Sequence, residues 1–300
     1  MKLAPILLFA YNRPRHLRMI IAALQKNYLA SASTLHIFCD GPKNEVDVLK
    51  CAEVQKVTKR ITGFKNISVY TQENNIGLAE SVIYGVTKIL DHNSSVIVLE
   101  DDIVTHPYFL TYMNTALQFY KNSTHIFSIS GYNHPTNLLR IPDNYTKDIF
   151  LSRRPSSWGW ATWKDRWEKI EWDTQKIIRN LKSMNKLDAA GEDLRAMLIL
   201  QSKGKIDSWA VRFCASSVQH NGFCVYPTIS LVDNIGMDGT GRHSDPTSKY
   251  KNKLSHTVTT IKFEKNLQIN KQLDSNFLSI YKTPILYKFF DLIKVLLRMQ

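Results

Sequence analysis

Three hundred residues that are 44% hydrophobic and 11% aromatic can fill a large packed core, which excludes a disordered chain. Lys and Arg outnumber Asp and Glu by 39 to 26, and the resulting net charge of +13 suits an anionic partner: a phosphorylated small molecule, a nucleic acid or an acidic membrane surface. No run approaches the roughly 18 apolar residues of a membrane span. The first apolar run is cut by Asn12, Arg13 and Arg15 before it could serve as a signal peptide, so the chain reads as cytoplasmic. Cys39, Cys51, Cys214 and Cys224 lack metal-type spacing and read as buried thiols.

In chain order, Pro5 to Tyr11 forms a first strand, and Pro14 opens a helix in which Leu17, Ile20, Ile21 and Leu24 recur at helical spacing. Thr34 to Cys39 is a second strand, ending at Asp40-Gly41-Pro42. The helix after it carries Val46, Leu49, Val57 and Ile61 as its apolar positions. Ile67 to Tyr70 is a third strand, followed by the turn Asn74-Asn75-Ile76-Gly77 and a helix with Val82, Ile83, Val86, Ile89 and Leu90. The run Val96 to Leu99 is a fourth strand, apolar enough to be buried on both faces. This alternation predicts an α/β fold with a parallel sheet and right-handed crossovers. Polar residues after each strand then gather along one edge, where Asn12, Arg13, Asp40 and Asn75 would meet. No Gly-x-Gly-x-x-Gly follows the first strand and no Walker-type Gly-Lys-Ser/Thr occurs, which argues against a dinucleotide enzyme and a P-loop kinase.

Glu100, Asp101 and Asp102 follow the fourth strand without a gap. Three adjacent carboxylates repel and need a cation, and hard oxygen ligands suit Mg²⁺ or Mn²⁺ completed by water and substrate phosphates. The bland alternative is a solvated turn.

Beyond Pro107 a helix carries Phe109, Met113, Leu117 and Tyr120, and Ile126 to Gly131 is a fifth strand. Residues 132 to 148 read as a loop. Five of the six tryptophans then fall between Trp158 and Trp172, either as core or as a platform for stacking on rings. Asp207 stands just before a helix running Val211 to Val218, and its first reading is that helix's cap. Cys224 to Val232 reads as one strand. It leads to a loop with Gly236, Gly239, Gly241, Arg242 and His243 that is flexible enough to fold over a phosphate. From about Ser279 the chain is apolar and basic by turns, with Pro284 opening a helix that either docks on an anionic membrane surface or packs on its own domain.

Together these stretches carry a family likeness. Leu8-Phe9-Ala10-Tyr11-Asn12-Arg13-Pro14, Asn74-Asn75-Ile76-Gly77-Leu78 and Leu99-Glu100-Asp101-Asp102 resemble the nucleotide-sugar half of GT-A glycosyltransferases, within which the chain is similar to bacterial family 2-like sugar transferases. Gly159-Trp160, Asp207-Ser208-Trp209 and the loop from Asn234 to His243 are distantly similar to motifs of N-acetylglucosaminyltransferase I, with Ser208 where that enzyme has a second Asp. The likeness implies a GT-A fold: a Rossmann-like, mostly parallel central sheet flanked by helices. Its nucleotide-sugar-binding half would be residues 1–131, its acceptor-binding and catalytic half 132–250, and 251–300 a C-terminal basic helical extension.

The resemblance further implies an inverting transfer from a UDP-sugar, with Mn²⁺ or Mg²⁺ as cofactor. Arg13 and Asp40 would hold the uracil and ribose side, Asn75 would lie near the base, and Glu100 and Asp101 would take ribose and sugar hydroxyls. Asp102 would bind the metal, and Asp207 would be the general base. The acceptor would be a glycan or lipid-linked oligosaccharide of surface-polysaccharide biosynthesis. No nucleic acid partner is expected, and location would be cytoplasmic, with residues 279–300 docking at the inner face of the cell membrane. Two rivals share parts of the pattern. A nucleotidyltransferase would carry a Gly-rich basic loop where Tyr11-Asn12-Arg13-Pro14 stands, and a non-catalytic carbohydrate-binding protein would leave the three acids unexplained.

Overall fold

The computed structural model describes residues 2–239, 246–254 and 260–282. The elements follow in order as β1 (Ile6–Ala10), α1 (Pro14–Gln25), β2 (Thr34–Cys39), α2 (Glu45–Thr58), β3 (Asn66–Thr71), α3 (Leu78–Leu90), β4 (Ser95–Glu100), β5 (Ile103–Thr105) and α4 (Phe109–Tyr120). Then come β6 (Ile126–Ser130), β7 (Ile149–Ser152), β8 (Trp160–Trp163), α5 (Lys164–Trp167), α6 (Thr174–Ser183), α7 (Asp193–Ser202), α8 (Trp209–Gln219), β9 (Phe223–Pro227), β10 (Val232–Asn234) and α9 (Lys271–Ser279). Eight strands form one mostly parallel sheet in the order β3, β2, β1, β4, β8, β6, β9, β7, and β5 pairs with β10 beside it. From β3 to β4 every pairing is parallel, whereas β8 runs antiparallel to both β4 and β6, and β7 antiparallel to β9.

Strand residues alternate between two cores, as a pleat with both faces covered requires. Ile6, Leu8, Ile97 and Leu99 pack with Leu17, Ile20 and Leu24 of α1 and Phe109 and Met113 of α4. Leu7, Phe9, Val96 and Val98 pack on the other face with Val82, Val86 and Ile89 of α3 and Phe213 of α8. The sheet is thus flanked by helices on both sides, as the alternation predicted. With β1 and β4 side by side, Phe9 sits opposite Glu100, so the β1–α1 turn and the three acids emerge at the same edge.

Several local expectations are corrected. The tryptophans are mostly core: Trp160, Trp163 and Trp167 are buried, with Trp160 stacked between Trp167 and Trp209 at centroid distances of 6.0 and 4.9 Å. Of the four apolar positions expected on the helix after β2, Val57 and Ile61 pack against the core and Val46 and Leu49 do not. Asp47, Cys51, Val54 and Thr58 point inward, while Val46 and Leu49 are 74% and 77% exposed. The stretch read as one strand from Cys224 to Val232 is two, because β9 ends at Pro227 and β10 begins at Val232 to pair with β5. The C-terminal extension begins as part of the domain: α9 buries Leu273 and Phe277 against Phe150 and Tyr226, and Phe263 stacks on Tyr112. The helix expected from Pro284, with its membrane docking, lies outside the described residues, as do Gly241, Arg242 and His243. Among the described residues no helix is long and apolar enough to cross a membrane.

Candidate active site

Seven residues were singled out from sequence, and all seven line one cleft of about 470 Å³: Arg13, Asp40, Asn75, Glu100, Asp101, Asp102 and Asp207. They come from the β1–α1 turn, the end of β2, the turn before α3, the end of β4 and the residue two before α8. The cleft lies at the carboxyl ends of the parallel strands, where an open α/β sheet leaves its crevice.

The acid cluster is held by neighbours rather than solvated. Arg13 donates from Nη1 to Asp102 Oδ2 at 3.1 Å, the backbone N–H of Tyr11 donates to Asp101 Oδ2 at 3.2 Å, and the Trp209 side chain hydrogen-bonds Glu100. These partners do not offset burial and mutual repulsion. Loss of hydration, then the charges of Asp102 and Asp101, raise Glu100 to about 8. Loss of hydration, then Asp102, raise Asp101 to about 7. Asp102 is also shifted upward by burial, against the pull of Arg13. Its Oδ1 is buried without a hydrogen-bond partner among the described residues. An added cation at this oxygen would supply what the protein leaves out.

Asp40 and Arg13 both have protein partners within the cleft. The Asp40 carboxylate accepts four protein hydrogen bonds, from Gly41 N at 2.9 Å, Ile76 N at 2.9 Å, Gly77 N at 3.0 Å and Asn75 Nδ2 at 2.7 Å. Two carboxylate oxygens offer about four lone-pair sites, so the capacity is filled. Asp40 therefore shapes the turn at the N-terminus of α3, where an anion is favoured. Gly77 holds φ at 82°, a backbone that a side chain resists, so this turn is a built feature. Arg13 is likewise engaged. Its Nη2 reaches Gly236 O at 3.5 Å and Asp238 Oδ1 at 3.4 Å, and Asp238 also pairs with His16 at 3.2 Å. Arg13 thus ties Asp102 to the glycine loop after β10. That loop closes tightly, since a Cβ at Gly236 would stand 2.1 Å from Asp102 Oδ2.

Asp207 is not the cap of α8. Ser208 is: its side chain accepts from Val211 N at 3.3 Å, one position later than the cap expected from sequence. Asp207 instead projects into the cleft, its side chain 58% exposed, with Arg212 donating to Oδ1 at 3.1 Å and Oδ2 on the Gly77 side. Sequence reasoning also missed Asp47, which accepts from Tyr11 Oη and Asn12 Nδ2 at 2.6 Å each and so fixes the β1–α1 turn. Its spacing with Cys51, Val54 and Thr58 was a helical-face signal, masked by the more apolar outward face. Trp158 and Met237 line the cleft as well.

No protein-family model matches the chain, and no curated protein matches it. Among solved structures it is similar to S. aureus TarS 1–349 in complex with UDP, at 11% identity and a TM-score of 0.43, over 77% of this chain and 60% of that one. It is similar to the galactosyltransferase LgtC in complex with donor and acceptor sugar analogs, at 12% identity and a TM-score of 0.38, over 85% and 84% of the two chains. A third similarity is to the mannosyltransferase PcManGT from Pyrobaculum calidifontis in complex with GDP-Man and Mn²⁺, at 9% identity and a TM-score of 0.39, over 73% and 75%. Likeness at this level assigns neither a ligand nor an activity, which rest on the residues of the cleft.

Two stability measurements check this geometry. Ser208→Ala should cost about 1 kcal/mol in urea unfolding, while Asp207→Ala should change stability by less than about 0.5 kcal/mol, because an exposed ion pair contributes little. The reverse order would restore Asp207 as the cap. Burial and the neighbouring carboxylates raise Glu100 to about 8, above the ordinary carboxylate range, so folding favours its protonated form and stability falls as pH rises from that range toward 8. Glu100→Gln removes that loss. In chelator, the variant should melt above wild type at pH 8 and level with it at pH 4; equal melting at both would show that the cluster carries no strain.

Proposed function

We propose that the chain is a metal-dependent inverting glycosyltransferase of GT-A type. It would move a sugar from a nucleotide-sugar, a UDP-sugar, to a hydroxyl of a glycan or lipid-linked oligosaccharide. The observation that carries this reading is the three-acid cluster with its orphaned Asp102 Oδ1, in one cleft with an exposed Asp207 that no cap requires.

The donor set fits a small hard divalent ion. Among the described residues no three His, Cys, Asp or Glu side chains group into a metal cage, so a single carboxylate, Asp102, would hold Mn²⁺ or Mg²⁺ together with substrate phosphate and water. When bound, the ion would supply positive charge where the leaving diphosphate gains negative charge. Arg13 orients Asp102 for this and adds its own cation beside the phosphates. Glu100 and Asp101, partly or wholly shielded from water, accept hydroxyl hydrogen bonds from ribose and donor sugar. Asp40 and Asn75 shape the nucleoside end through their shared turn.

Asp207 takes the acceptor proton. The acceptor oxygen forms its bond to the anomeric carbon as the bond to the diphosphate oxygen breaks with its electron pair, and the hydroxyl proton passes to the carboxylate. Arg212 restrains Oδ1, which leaves Oδ2 to face the acceptor. The carbohydrate-binding rival loses its main support, because its tryptophan platform is largely core. The nucleotidyltransferase rival lacks its loop: the β1–α1 turn is pinned through Asn12 to Asp47 and through Arg13 to Asp102.

Steady-state kinetics on UDP-sugars with Mn²⁺ test the assignments. Asp102→Asn should lower turnover by at least about 100-fold with the fold intact, because an amide neither offsets the ion's charge nor binds it well. Asp207→Asn should lower kcat by roughly 10²–10⁴-fold while UDP affinity stays within about twofold. Near-normal kcat in Asp207→Asn removes it from the mechanism.

A further inference from the structure

A second cavity of about 390 Å³ adjoins the cleft and shares two wall residues with it, Trp158 and Met237. Asp207 faces the first space, and its chain neighbour Ser208 lines the second. The shared wall and the single peptide step place the second cavity directly behind the carboxylate proposed to take the acceptor proton. That volume is large enough to hold a hexose ring.

The lining is aromatic and ordered. Trp158 meets Tyr132 edge to face at 4.6 Å and Tyr250 at 6.0 Å, and Tyr132 Oη donates to Tyr250 O at 3.2 Å. Tyr226 and Tyr281 also line the cavity, together with Leu194 and Met197 of α7. Rigid indole and phenol faces suit the C–H faces of a sugar ring, and seryl and phenolic hydroxyls suit its hydroxyls.

The one formal cation among the described lining residues is already matched. Arg154 makes a bidentate pair with Asp193 at 2.7 and 2.9 Å, donates to Ala190 O at 3.0 Å, and has the Tyr281 ring 3.7 Å from its guanidinium carbon. His134 Nε2 lies 2.8 Å from Tyr281 Oη, and burial together with Arg154 and Lys249 pushes its pKa down to about 4, so it is neutral at pH 7. Lys249 lies over the Tyr250 ring at 5.2 Å but is not among the described lining residues, so a phosphate or carboxylate entering here would lose hydration and meet only a guanidinium that is already matched.

We infer that this cavity is the acceptor subsite and that it takes an uncharged sugar ring, stacked on the Trp158, Tyr132 and Tyr250 wall, with phosphorylated and uronic sugars excluded. The inference rests on the transferase reading above and narrows its acceptor to a neutral terminal sugar. Tyr281, two residues beyond the end of α9, also lines the cavity.

The test uses the full chain with UDP and Mn²⁺, and ligand-observed NMR on methyl glycosides of glucose, galactose and N-acetylglucosamine beside glucuronic acid and glucose 6-phosphate. At least one neutral glycoside should bind, the two anionic sugars should not, and binding should weaken at least tenfold in Tyr250→Ala and in Met197→Trp, which fills the cavity. Ser157→Phe fills the same space from the loop and replaces Met197→Trp should that variant unfold. UDP affinity should be unchanged in all three. Preference for an anionic sugar, glycoside binding that survives both a filled cavity and loss of Tyr250, or UDP binding with no neutral glycoside bound would each overturn the inference. Failure of wild type to bind UDP would instead strike the donor reading itself.

Discussion

Three carboxylates forced together at the end of a buried strand set the terms for the rest of this molecule. β4 cannot relieve their repulsion by turning away, because Val96 to Leu99 are locked into cores on both faces of the sheet. The chain therefore brings partial remedies from a distance: Arg13 from the β1–α1 turn, the Tyr11 amide, and Trp209 from the start of α8. Each remedy fixes an element against the cleft. Arg13 also reaches the loop after β10, so one side chain links the acid cluster, the first turn and Gly236 and Asp238 of that loop. What stays uncompensated, the upward-shifted carboxyls and an Asp102 oxygen with no hydrogen-bond partner among the described residues, is the feature a bound cation would resolve.

The first four strands and their edge were legible because each signal was local and strong. Apolar runs of β-branched residues followed by polar turns leave little freedom of interpretation, and parallel connectivity then determines which residues share an edge. Arg13, Asp40, Asn75 and the acids were found this way. Their individual roles were less legible, since a polar side chain reads the same whether it faces a ligand or a neighbouring turn. Asp40 turned out to have its lone pairs occupied by the α3 turn, and Arg13 by Asp102 and the glycine loop. The second half hid more. An antiparallel strand inserted between β4 and β6 depends on long-range pairing that no local pattern announces, and it carries Trp160 into the core. Asp207 and Ser208 are both good caps by type, and one residue of phase decided which became the cap and which stayed available to the cleft.

The two cavities divide the work along the shared Trp158 and Met237 wall. The first cavity is charged and polar, whereas the described lining of the second is aromatic with its one guanidinium matched. Asp207 stands at their junction. Tyr281, distant in sequence from every motif, lines the second cavity, and α9 packs behind it through Phe277 against Phe150 and Tyr226.

The central claim is that the acid cluster exists to bind a nucleoside diphosphate through a divalent ion. Titrating UDP into the wild-type protein by calorimetry, with Mn²⁺ and then with chelator, tests it most directly. Tight binding should appear with the ion and fall by at least about 100-fold, some 2.7 kcal/mol, without it. Equal UDP affinity in chelator, or no binding in either condition, would contradict the account.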